Sequence, residues 1–312
     1  MNINTHETAI RFSIVIPAYN ASQFINRTLD SLANQTYTHY EIVITNDGST
    51  DNTEEIIRQF IVSHKTLPIH LVSQKNKGIA SARNNGIFRA QGNYIAFLDA
   101  DDCWYQNKLE KVIETIRNNP QVDVIYHDEM EIRNSGEKRQ SQYGKVKDPA
   151  YDELLFNGNK LSTSATVIKR ELVQKLGGFS ENMDFNSAED YDFWLRLAKH
   201  GAIFFYLPIV LGEYHRVTDS VSMKIVYHGN NSFKVIEHHI NEMMTNGEYP
   251  KHYLQKKLNK LRSKNFLGMG RAFYRNKDYR KAHQYYLKSL NHRPFWWKPY
   301  AGLIQNIIYQ LI

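Results

Sequence analysis

The sequence predicts an α/β fold: a mostly parallel central sheet sandwiched by helices, with an α-helical C-terminal extension. Three observations carry this. Apolar runs of strand length alternate with segments of helical spacing between Phe12 and Tyr126, three of those runs end in polar or acidic residues, and from about Ser222 the pattern turns helical and basic.

Phe12-Ser13-Ile14-Val15-Ile16 is a short β-branched run, expected to stop at Pro17 in a loop through Ala18-Tyr19-Asn20. Phe24, Ile25, Leu29 and Leu32 recur at helical spacing and give a first helix. Tyr40-Glu41-Ile42-Val43-Ile44 reads as a second strand. Asn46-Asp47-Gly48 turns it into a helix carrying Ile56, Ile57 and Phe60, with Ser49 or Thr50 as cap. Ile69-His70-Leu71-Val72 is a third strand, and Lys75-Asn76-Lys77-Gly78 leads into a helix through Ala80, Ala82, Asn85 and Ile87. Tyr94-Ile95-Ala96-Phe97-Leu98 is a fourth strand, apolar enough to be covered on both faces. A helix over residues 108–118 precedes a fifth strand, Val122-Asp123-Val124-Ile125-Tyr126. Such alternation with short connections predicts parallel strands joined by right-handed crossovers.

Residues 133–148, rich in Ser, Gln, Gly and Lys, read as a loop or hairpin near the site. Ser164-Ala165-Thr166-Val167-Ile168 reads as another strand, before a short helix ending at Gly177-Gly178. Over residues 187–197, Ser187 with Asp190 three positions on has the form of a capping box, and Phe193, Trp194 and Leu197 make an apolar face. Residues 202–207 form a strand and residues 211–216 a further edge element. We place the domain boundary near residue 222, giving domains 1–221 and 222–312. In the second, residues 251–264 carry many Lys and Arg, and residues 266–290 form a helical hairpin turning at Asn276-Lys277-Asp278. Phe295-Trp296-Trp297 then precedes a stripe of Ile304, Ile307, Ile308 and Leu311.

A chain of 312 residues can bury one large core, or one domain with an appendage, and 42% hydrophobic with 23% charged residues is ordinary for a soluble protein. The single cysteine, Cys103, excludes intramolecular disulfides and multi-cysteine zinc sites and fits a reducing compartment. Residues 1–11 lack the apolar core of a secretory signal, and no run reaches the roughly 18 apolar residues of a membrane span, so a cytoplasmic location is expected. A net charge of +7 suits nucleic acid, anionic lipid or a phosphorylated substrate without choosing among them. The thirteen histidines show no ligand spacing, although His215, after a strand, is a candidate to line the site.

Three carboxylates, Asp99, Asp101 and Asp102, fall within four positions after the fourth strand. Strand packing does not call for them, and carboxylates this close repel unless a cation or a hydrogen-bond donor relieves them. Hard divalent ions take oxygen ligands, commonly one or two carboxylates with substrate phosphates. Asp99-Ala100-Asp101 therefore reads as a metal clamp for a phosphorylated ligand, at the strand end where open α/β sheets bind ligands. A solvated acidic loop is the plain alternative. The polar ends Tyr19-Asn20 and Asn46-Asp47 fall along the same predicted edge, so three strand ends can meet around one ligand. Asp190, in the first turn of its helix, has a structural role as a cap partner and a compatible catalytic one, since the helix dipole favours its ionised form.

The run Ser13-Ile14-Val15-Ile16-Pro17-Ala18-Tyr19-Asn20 resembles the opening of the family 2 glycosyltransferases. Further matches follow in the expected order: Glu41-Ile42-Val43-Ile44-Thr45-Asn46-Asp47-Gly48-Ser49-Thr50-Asp51, Asn76-Lys77-Gly78 with Ala82-Arg83-Asn84, Phe97-Leu98-Asp99-Ala100-Asp101-Asp102, Gly177-Gly178-Phe179, and Glu189-Asp190. The resemblance covers roughly residues 11–218. It implies a GT-A type fold, a nucleotide-sugar donor (a UDP-sugar), a divalent cation (Mn²⁺ or Mg²⁺), inversion at the anomeric carbon, and a role in building a bacterial-type surface glycan. By position, Pro17, Ala18, Tyr19 and Asn20 with Asp47 resemble the nucleoside contacts, Asp47 facing the base. Lys77 and Arg83 match positions near the base or the diphosphate. Asp99 and Asp101 form the Asp-x-Asp element, with Asp101 the direct metal ligand. Asp190 matches the general base, and Glu189 beside it joins the substrate-binding set. Asn46 stands where many members have aspartate; its amide keeps a hydrogen bond but not a charge.

Displacing a nucleoside diphosphate puts negative charge on the leaving phosphates, which a clamped divalent ion stabilises. The acceptor hydroxyl, on a glycan or lipid-linked sugar, is a poor nucleophile until a carboxylate takes its proton. Residues 266–294 resemble one tetratricopeptide-type helical pair, which cannot bury its own face and must pack on the catalytic domain or a partner. The Trp296-Trp297 pair, the terminal stripe and the cations of residues 251–264 suit peripheral contact with an anionic membrane, at the inner face of the cell membrane, and equally a helix packed on the hairpin with a solvated basic face. Nucleic acid is disfavoured as a partner, since no recognisable nucleic-acid module accompanies the basic residues. Two other classes stay open. A nucleotidyltransferase shares sheet, nucleotide and metal, but carries a Gly-rich basic loop where this chain has Pro17-Ala18-Tyr19-Asn20. A non-catalytic scaffold would keep the fold without needing Asp99, Asp101 and Asp190.

Overall fold

The computed structural model describes residues 10–133, 135–216 and 225–311. Contacts divide the chain into two units: Met1–Leu154, Gly158–Glu181 and Phe193–Thr218 form the first, and Leu155–Asn157, Asn182–Asp192 and Asp219–Ile312 the second. The boundary expected near residue 222 lies outside the described residues.

The first unit is built on β1 (Phe12–Ala18), α1 (Ile25–Ala33), β2 (Tyr40–Asn46), α2 (Thr53–Ser63), β3 (Ile69–Ser73), α3 (Ile79–Arg89) and β4 (Tyr94–Phe97). It continues through β5 (Cys103–Trp104), α4 (Lys108–Asn118), β6 (Val124–Arg133), β7 (Lys138–Ser141), α5 (Ala150–Asn157), β8 (Thr166–Lys169), α6 (Arg170–Lys175), α7 (Glu189–Lys199) and β9 (Phe204–Arg216). The last residues of α5 and the first turn of α7 group with the second unit.

The sheet runs β3-β2-β1-β4-β8-β6-β9-β5, with β7 paired to β6. Its first half is parallel, as the strand–helix alternation requires: β1 pairs β2 and β4, and β2 pairs β3. Beyond β4 it is mixed, because β8 enters antiparallel between β4 and β6 while β9 returns parallel to β6. The two elements read separately as residues 202–207 and 211–216 are one strand, β9, with register shifts against β6 at His127 and Asp128. Within residues 133–148, β7 pairs antiparallel with Glu129–Ile132 of β6, so the stretch holds the second strand of a hairpin.

Pro17 does not end β1, which runs to Ala18. Alternate residues of a strand turn their backbone groups to opposite neighbours. The Val15 carbonyl accepts the Leu98 N–H, so Pro17 turns its hydrogen-free nitrogen to that same edge, past the last β1–β4 pair, Val15 with Phe97. No ladder bond is lost. Phe12, Ile14 and Ile16 pack with Leu29 and Leu32 of α1 and Ile113 and Ile116 of α4, while Val15 lies against Gly86 of α3. Helices thus cover both faces of the parallel half.

The second unit contains a short 3-10 helix (Met183–Phe185), α8 (Ile225–Asn246), α9 (Lys251–Arg275), α10 (Tyr279–His292) and α11 (Trp297–Leu311). The basic segment and the first helix of the predicted hairpin are one continuous helix, α9, and the turn falls at Asn276-Lys277-Asp278, where Asp278 caps α10 by accepting the Lys281 N–H at 3.1 Å. Leu267, Phe273, Ala282 and Tyr286 form its core, with Trp296 and Leu303 packed against them. The hairpin's apolar face is therefore covered by α11 within the same unit.

Candidate active site

The site begins where β1, β2 and β4 end. Pro17 and Ala18 are buried in β1, paired with Thr45 and Asn46 of β2, whereas Tyr19 is 51% exposed. Asn20 has φ of 48° and accepts the Thr50 N–H on its Oδ1 at 2.9 Å, while its own N–H donates to Ser49 Oγ at 3.1 Å. Asp51 adds a second tie: its carboxylate accepts the N–H groups of Ser22 and Thr53 and the Thr53 hydroxyl. Burial raises Asp51's carboxyl, but these bonds outweigh it and bring it down to about 2.

Asp47, 3% exposed, accepts three hydrogen bonds: Gln74 Nε2 and the Lys77 N–H on Oδ1 at 2.8 and 2.9 Å, and the Gly78 N–H on Oδ2 at 2.9 Å. It thereby fixes the loop that opens α3 and leaves the Lys77 side chain exposed. Gly48, at φ 69°, is needed here, because a Cβ would stand 2.8 Å from the Asn76 nitrogen.

The acidic turn after β4 is held from three sides. From α1, Arg27 donates to the Asp101 carbonyl at 2.8 Å, and the Thr28 hydroxyl lies 2.9 and 2.8 Å from the Ala100 and Asp102 carbonyls. From the approach to β8, the Ser164 hydroxyl accepts the Asp99 N–H at 3.1 Å and donates to Asp102 Oδ2 at 2.5 Å. From β9, the His215 N–H donates to Asp102 Oδ1 at 2.9 Å. Asp102 is buried and committed to the scaffold. Asp99 and Asp101 are partly exposed, with Asp99 Oδ1 receiving Arg83 at 2.7 Å. Burial and the neighbouring Asp99 push the Asp101 carboxyl up to about 6. Among the described residues no ion pair reaches that carboxylate.

Arg83 is itself buried and lies over the ring of Phe179 at 5.1 Å. Its neighbour Asn84 donates to the Phe179 carbonyl and accepts the Phe179 N–H, both at 2.8 Å. Gly178, at φ 71°, closes the junction, since a Cβ there would meet Asn84 Oδ1 at 2.4 Å. Two stretches of sequence, Ala82-Arg83-Asn84 and Gly177-Gly178-Phe179, are thus one structural joint.

Asn46 is filled on both sides. Its Oδ1 accepts the Ser49 N–H at 3.1 Å, and its Nδ2 donates to Glu54 at 2.6 Å.

Glu189 and Asp190 belong to the second unit. The capping box expected from Ser187 and Asp190 does not form. The helix α7 starts at Glu189, Ser187 sits at φ 72°, and its hydroxyl has no hydrogen-bond partner among the described residues. Glu189 is buried; Asp190 is partly exposed, and its Oδ1 accepts the Tyr191 N–H at 2.7 Å. On the same unit, α8 is tied to residues 182–192: His228 donates to the Ser187 carbonyl, Asn231 to the Asn186 carbonyl, and buried His239 meets Asp192 at 3.2 Å.

Comparison with known proteins decides the family. The model for "Glycosyl transferase family 2" matches residues 13–177, more than half of the chain. The chain belongs to glycosyl transferase family 2. It is 34% identical over 217 residues to the amylovoran biosynthesis glycosyltransferase AmsB of Erwinia amylovora, covering 67% of this chain and 71% of AmsB. It is 35% identical over 194 residues to the UDP-Glc:alpha-D-GlcNAc-diphosphoundecaprenol beta-1,3-glucosyltransferase WfgD of Escherichia coli, covering 61% and 71%. Among solved structures, the mannosyltransferase PcManGT of Pyrobaculum calidifontis, in complex with GDP-Man and Mn²⁺, superposes with a TM-score of 0.63 at 20% identity over 97% of this chain and 81% of its own. S. aureus TarS 1-349 in complex with UDP-GlcNAc does so at 0.58 and 19%, over 91% and 89%. These likenesses establish the GT-A fold expected from the sequence, and the family sets aside a nucleotidyltransferase.

In this glycosyltransferase the carboxylates fit a divalent cation by their chemistry. Asp101 is held close to Asp99 at a cost in charge repulsion that a cation would relieve. Among the described residues no three His, Cys, Asp or Glu side chains are arranged to hold a metal.

Several positioning residues were not legible as such. Arg27 and Thr28 look like ordinary surface and apolar-face positions of a helix, and Ser164 like a strand start. Lys108 is fully buried: its ammonium donates to the Ser164 carbonyl at 2.7 Å and lies 3.6 Å from the Trp104 ring centroid. Burial drives Lys108 well below the usual lysine range and Asp102 well above the usual carboxylate range. A lysine opening an amphipathic helix carries no signal of this in sequence.

Proposed function

We propose that this glycosyltransferase is an inverting, metal-dependent enzyme that moves a sugar from a UDP-sugar to a hydroxyl of a glycan or lipid-linked acceptor. The carrying observation is the Asp99–Asp101 pair, anchored by Arg83, Arg27 and Thr28, with no ion pair reaching the Asp101 carboxylate among the described residues. Asp99 and Asp101 would hold Mn²⁺ or Mg²⁺, which when bound supplies the charge that stabilises a departing diphosphate. Arg83 adds a fixed positive charge beside Asp99. Tyr19, exposed at the end of β1, and the loop fixed by Asp47 supply the nucleoside contacts, with Pro17, Ala18 and Asn20 shaping the floor and Lys77 free to reach the donor. Asp190 takes the proton of the acceptor hydroxyl, and Glu189 beside it belongs to the substrate-binding set. A base opposite the leaving group gives inversion in one displacement. The UDP-GlcNAc and UDP complexes of TarS and the UDP-Glc-dependent, diphosphoundecaprenol-linked acceptor in the name of WfgD support a UDP-sugar and a lipid-linked acceptor. A role in bacterial surface polysaccharide biosynthesis rests on relatives such as AmsB, and a lipid-linked acceptor would hold the enzyme's work at the inner face of the cell membrane.

Calorimetric titration with UDP, GDP, TDP and CDP, with and without Mn²⁺, tests this. Metal-dependent binding of UDP, lost in Asp101→Ala, is expected. Absence of nucleotide binding with or without Mn²⁺ would return the chain to a scaffold that keeps the fold.

A further inference from the structure

Charge in this chain is segregated. Residues 251–312 hold fourteen Lys and Arg against one carboxylate, Asp278, although the whole chain nets only +7, so the preceding residues are net acidic. Within the second unit these cations converge. Lys257, Lys260 and Lys264 lie along one face of α9 at spacings of three and four, and Lys264's ammonium is pulled down by burial and by Lys260, Arg293, Lys257 and Lys298 around it. Lys298 sits in the first turn of α11, and Arg293 stacks on Trp296 at 4.8 Å just before it.

Beside this cluster α11 leaves an apolar face uncovered. Trp297, Tyr300, Ile304 and Ile307 recur at spacings of three, four and three, so they line one face of the helix, and Trp297 and Ile304 are 68% and 61% exposed. Phe295 before it is fully exposed. The opposite face is the packed one, where Gly302 touches Tyr286 so closely that a Cβ would stand 2.7 Å from the ring, and Asn306 donates to the Tyr279 carbonyl. The side chains of Ile308 and Leu311, expected in the stripe, lie outside the described residues, and Trp296 packs inward.

We infer that α11 docks in the plane of an anionic phospholipid surface, with Phe295, Trp297, Tyr300 and Ile304 entering the headgroup region and the Lys257–Lys298 cluster binding the lipid phosphates. Charge complementarity selects the occupant. A second copy of this chain would bring two cation clusters together, and nucleic acid would satisfy the cations but leave the aliphatic face wet. An anionic bilayer answers both. The inference stands apart from the donor site.

The test is co-sedimentation of the full chain with vesicles of equal parts phosphatidylglycerol and phosphatidylcholine, and of phosphatidylcholine alone. The chain pellets with the anionic vesicles and weakly with the neutral ones, and a blue shift of tryptophan emission accompanies binding. Trp104 and Trp194 are buried and Trp296 is packed, so the shift belongs to Trp297 and disappears in Trp297→Phe. Replacing Lys260, Lys264 and Lys298 by Gln weakens binding by about fivefold per residue, and added salt does the same. All four positions are exposed, so folding is kept, which melting of each variant checks. Absence of binding to anionic vesicles at low salt overturns the inference. So does concentration-dependent self-association abolished by Ile304→Ser, which would make the face an interface between copies. UDP binding measured without vesicles on the same preparation keeps either result separate from the catalytic reading.

Discussion

Asn46 donates its side-chain amide to Glu54 at 2.6 Å, at the position where the family resemblance leads one to expect aspartate. Glu54 in turn accepts Ser73 and pairs with Arg58, so its carboxylate is held below the usual range, chiefly by the Arg58 hydrogen bond. In this chain the amide at position 46 and the carboxylate at position 54 are one unit. An aspartate at 46 would set two carboxylates against each other. Asn46→Asp should therefore destabilise the fold by about 1–3 kcal/mol at neutral pH, the cost of a lost donor plus like-charge repulsion. Adding Glu54→Gln restores a donor between the two positions and should recover much of the loss in urea melts. A double variant no more stable than Asn46→Asp alone would show that the two residues are not coupled.

Asp101 gives the fold a pH dependence of opposite sign to that of most acids. Its carboxyl is near 3.8 when unfolded and about 6 in the folded chain, through burial and Asp99. Folding therefore favours the protonated form, and stability present below about pH 4 is lost as pH rises through about 6, by something on the order of 1–3 kcal/mol. A divalent cation binds the carboxylate form and offsets this. Millimolar Mn²⁺ should raise the Tm more at about pH 7.5 than at about pH 5, and Asp101→Asn should abolish the shift while leaving the metal-free protein at least as stable. Equal Mn²⁺ shifts at both pH values would remove the pair as the metal site.

Much of this was readable from residue order, and the reasons it was readable are physical. Strand–helix alternation fixed the parallel half of the sheet because short connections leave few topologies open. The mixed half was less legible: β8 enters antiparallel because its chain returns from beyond β6, a long-range choice that no local period records. At the site, Asp99 and Asp101 announced themselves by having no place in strand packing. Arg27, Thr28 and Ser164, which hold that turn, did not, because each obeys the local rules of its own element. Ser187 misled for the converse reason. It has the residue type and spacing of a cap, but the chain turns through φ 72° there and the helix starts two residues later.

Lys108 reaches the Ser164 carbonyl from a fully buried position, where burial disfavours its ammonium form and the charges of Glu129 and Asp102 oppose that only in part. The same Ser164 carbonyl accepts Trp104 Nε1 at 2.9 Å. Lys108→Ala removes a hydrogen bond, a cation–ring contact and three methylenes at once, and takes away the amine whose charge acts on the buried Glu129 and Asp102. A loss of about 3–5 kcal/mol is expected in chemical denaturation. Lys108→Met, which refills the volume, should cost clearly less if packing dominates. Equal losses for the two variants would assign the cost to the charge, and with it the placement of the Asp102 turn.

Asp190 separates chemistry from binding. In the proposed mechanism it takes a proton from the acceptor and contributes little to holding the donor, whereas Asp101 holds the donor's metal and touches no acceptor. Asp190→Asn keeps the size and the ability to accept the Tyr191 N–H on its side-chain oxygen, but cannot take a proton. With a donor sugar that supports turnover of the unaltered chain, kcat should fall by about 10²–10⁴ while the Kd for UDP with Mn²⁺ stays within about twofold. Asp101→Asn should do the reverse at the binding step and lose the nucleotide altogether. If Asp190→Asn weakened UDP binding as strongly as Asp101→Asn, the residue would belong to the donor site, and the base that makes the reaction inverting would have to be sought elsewhere.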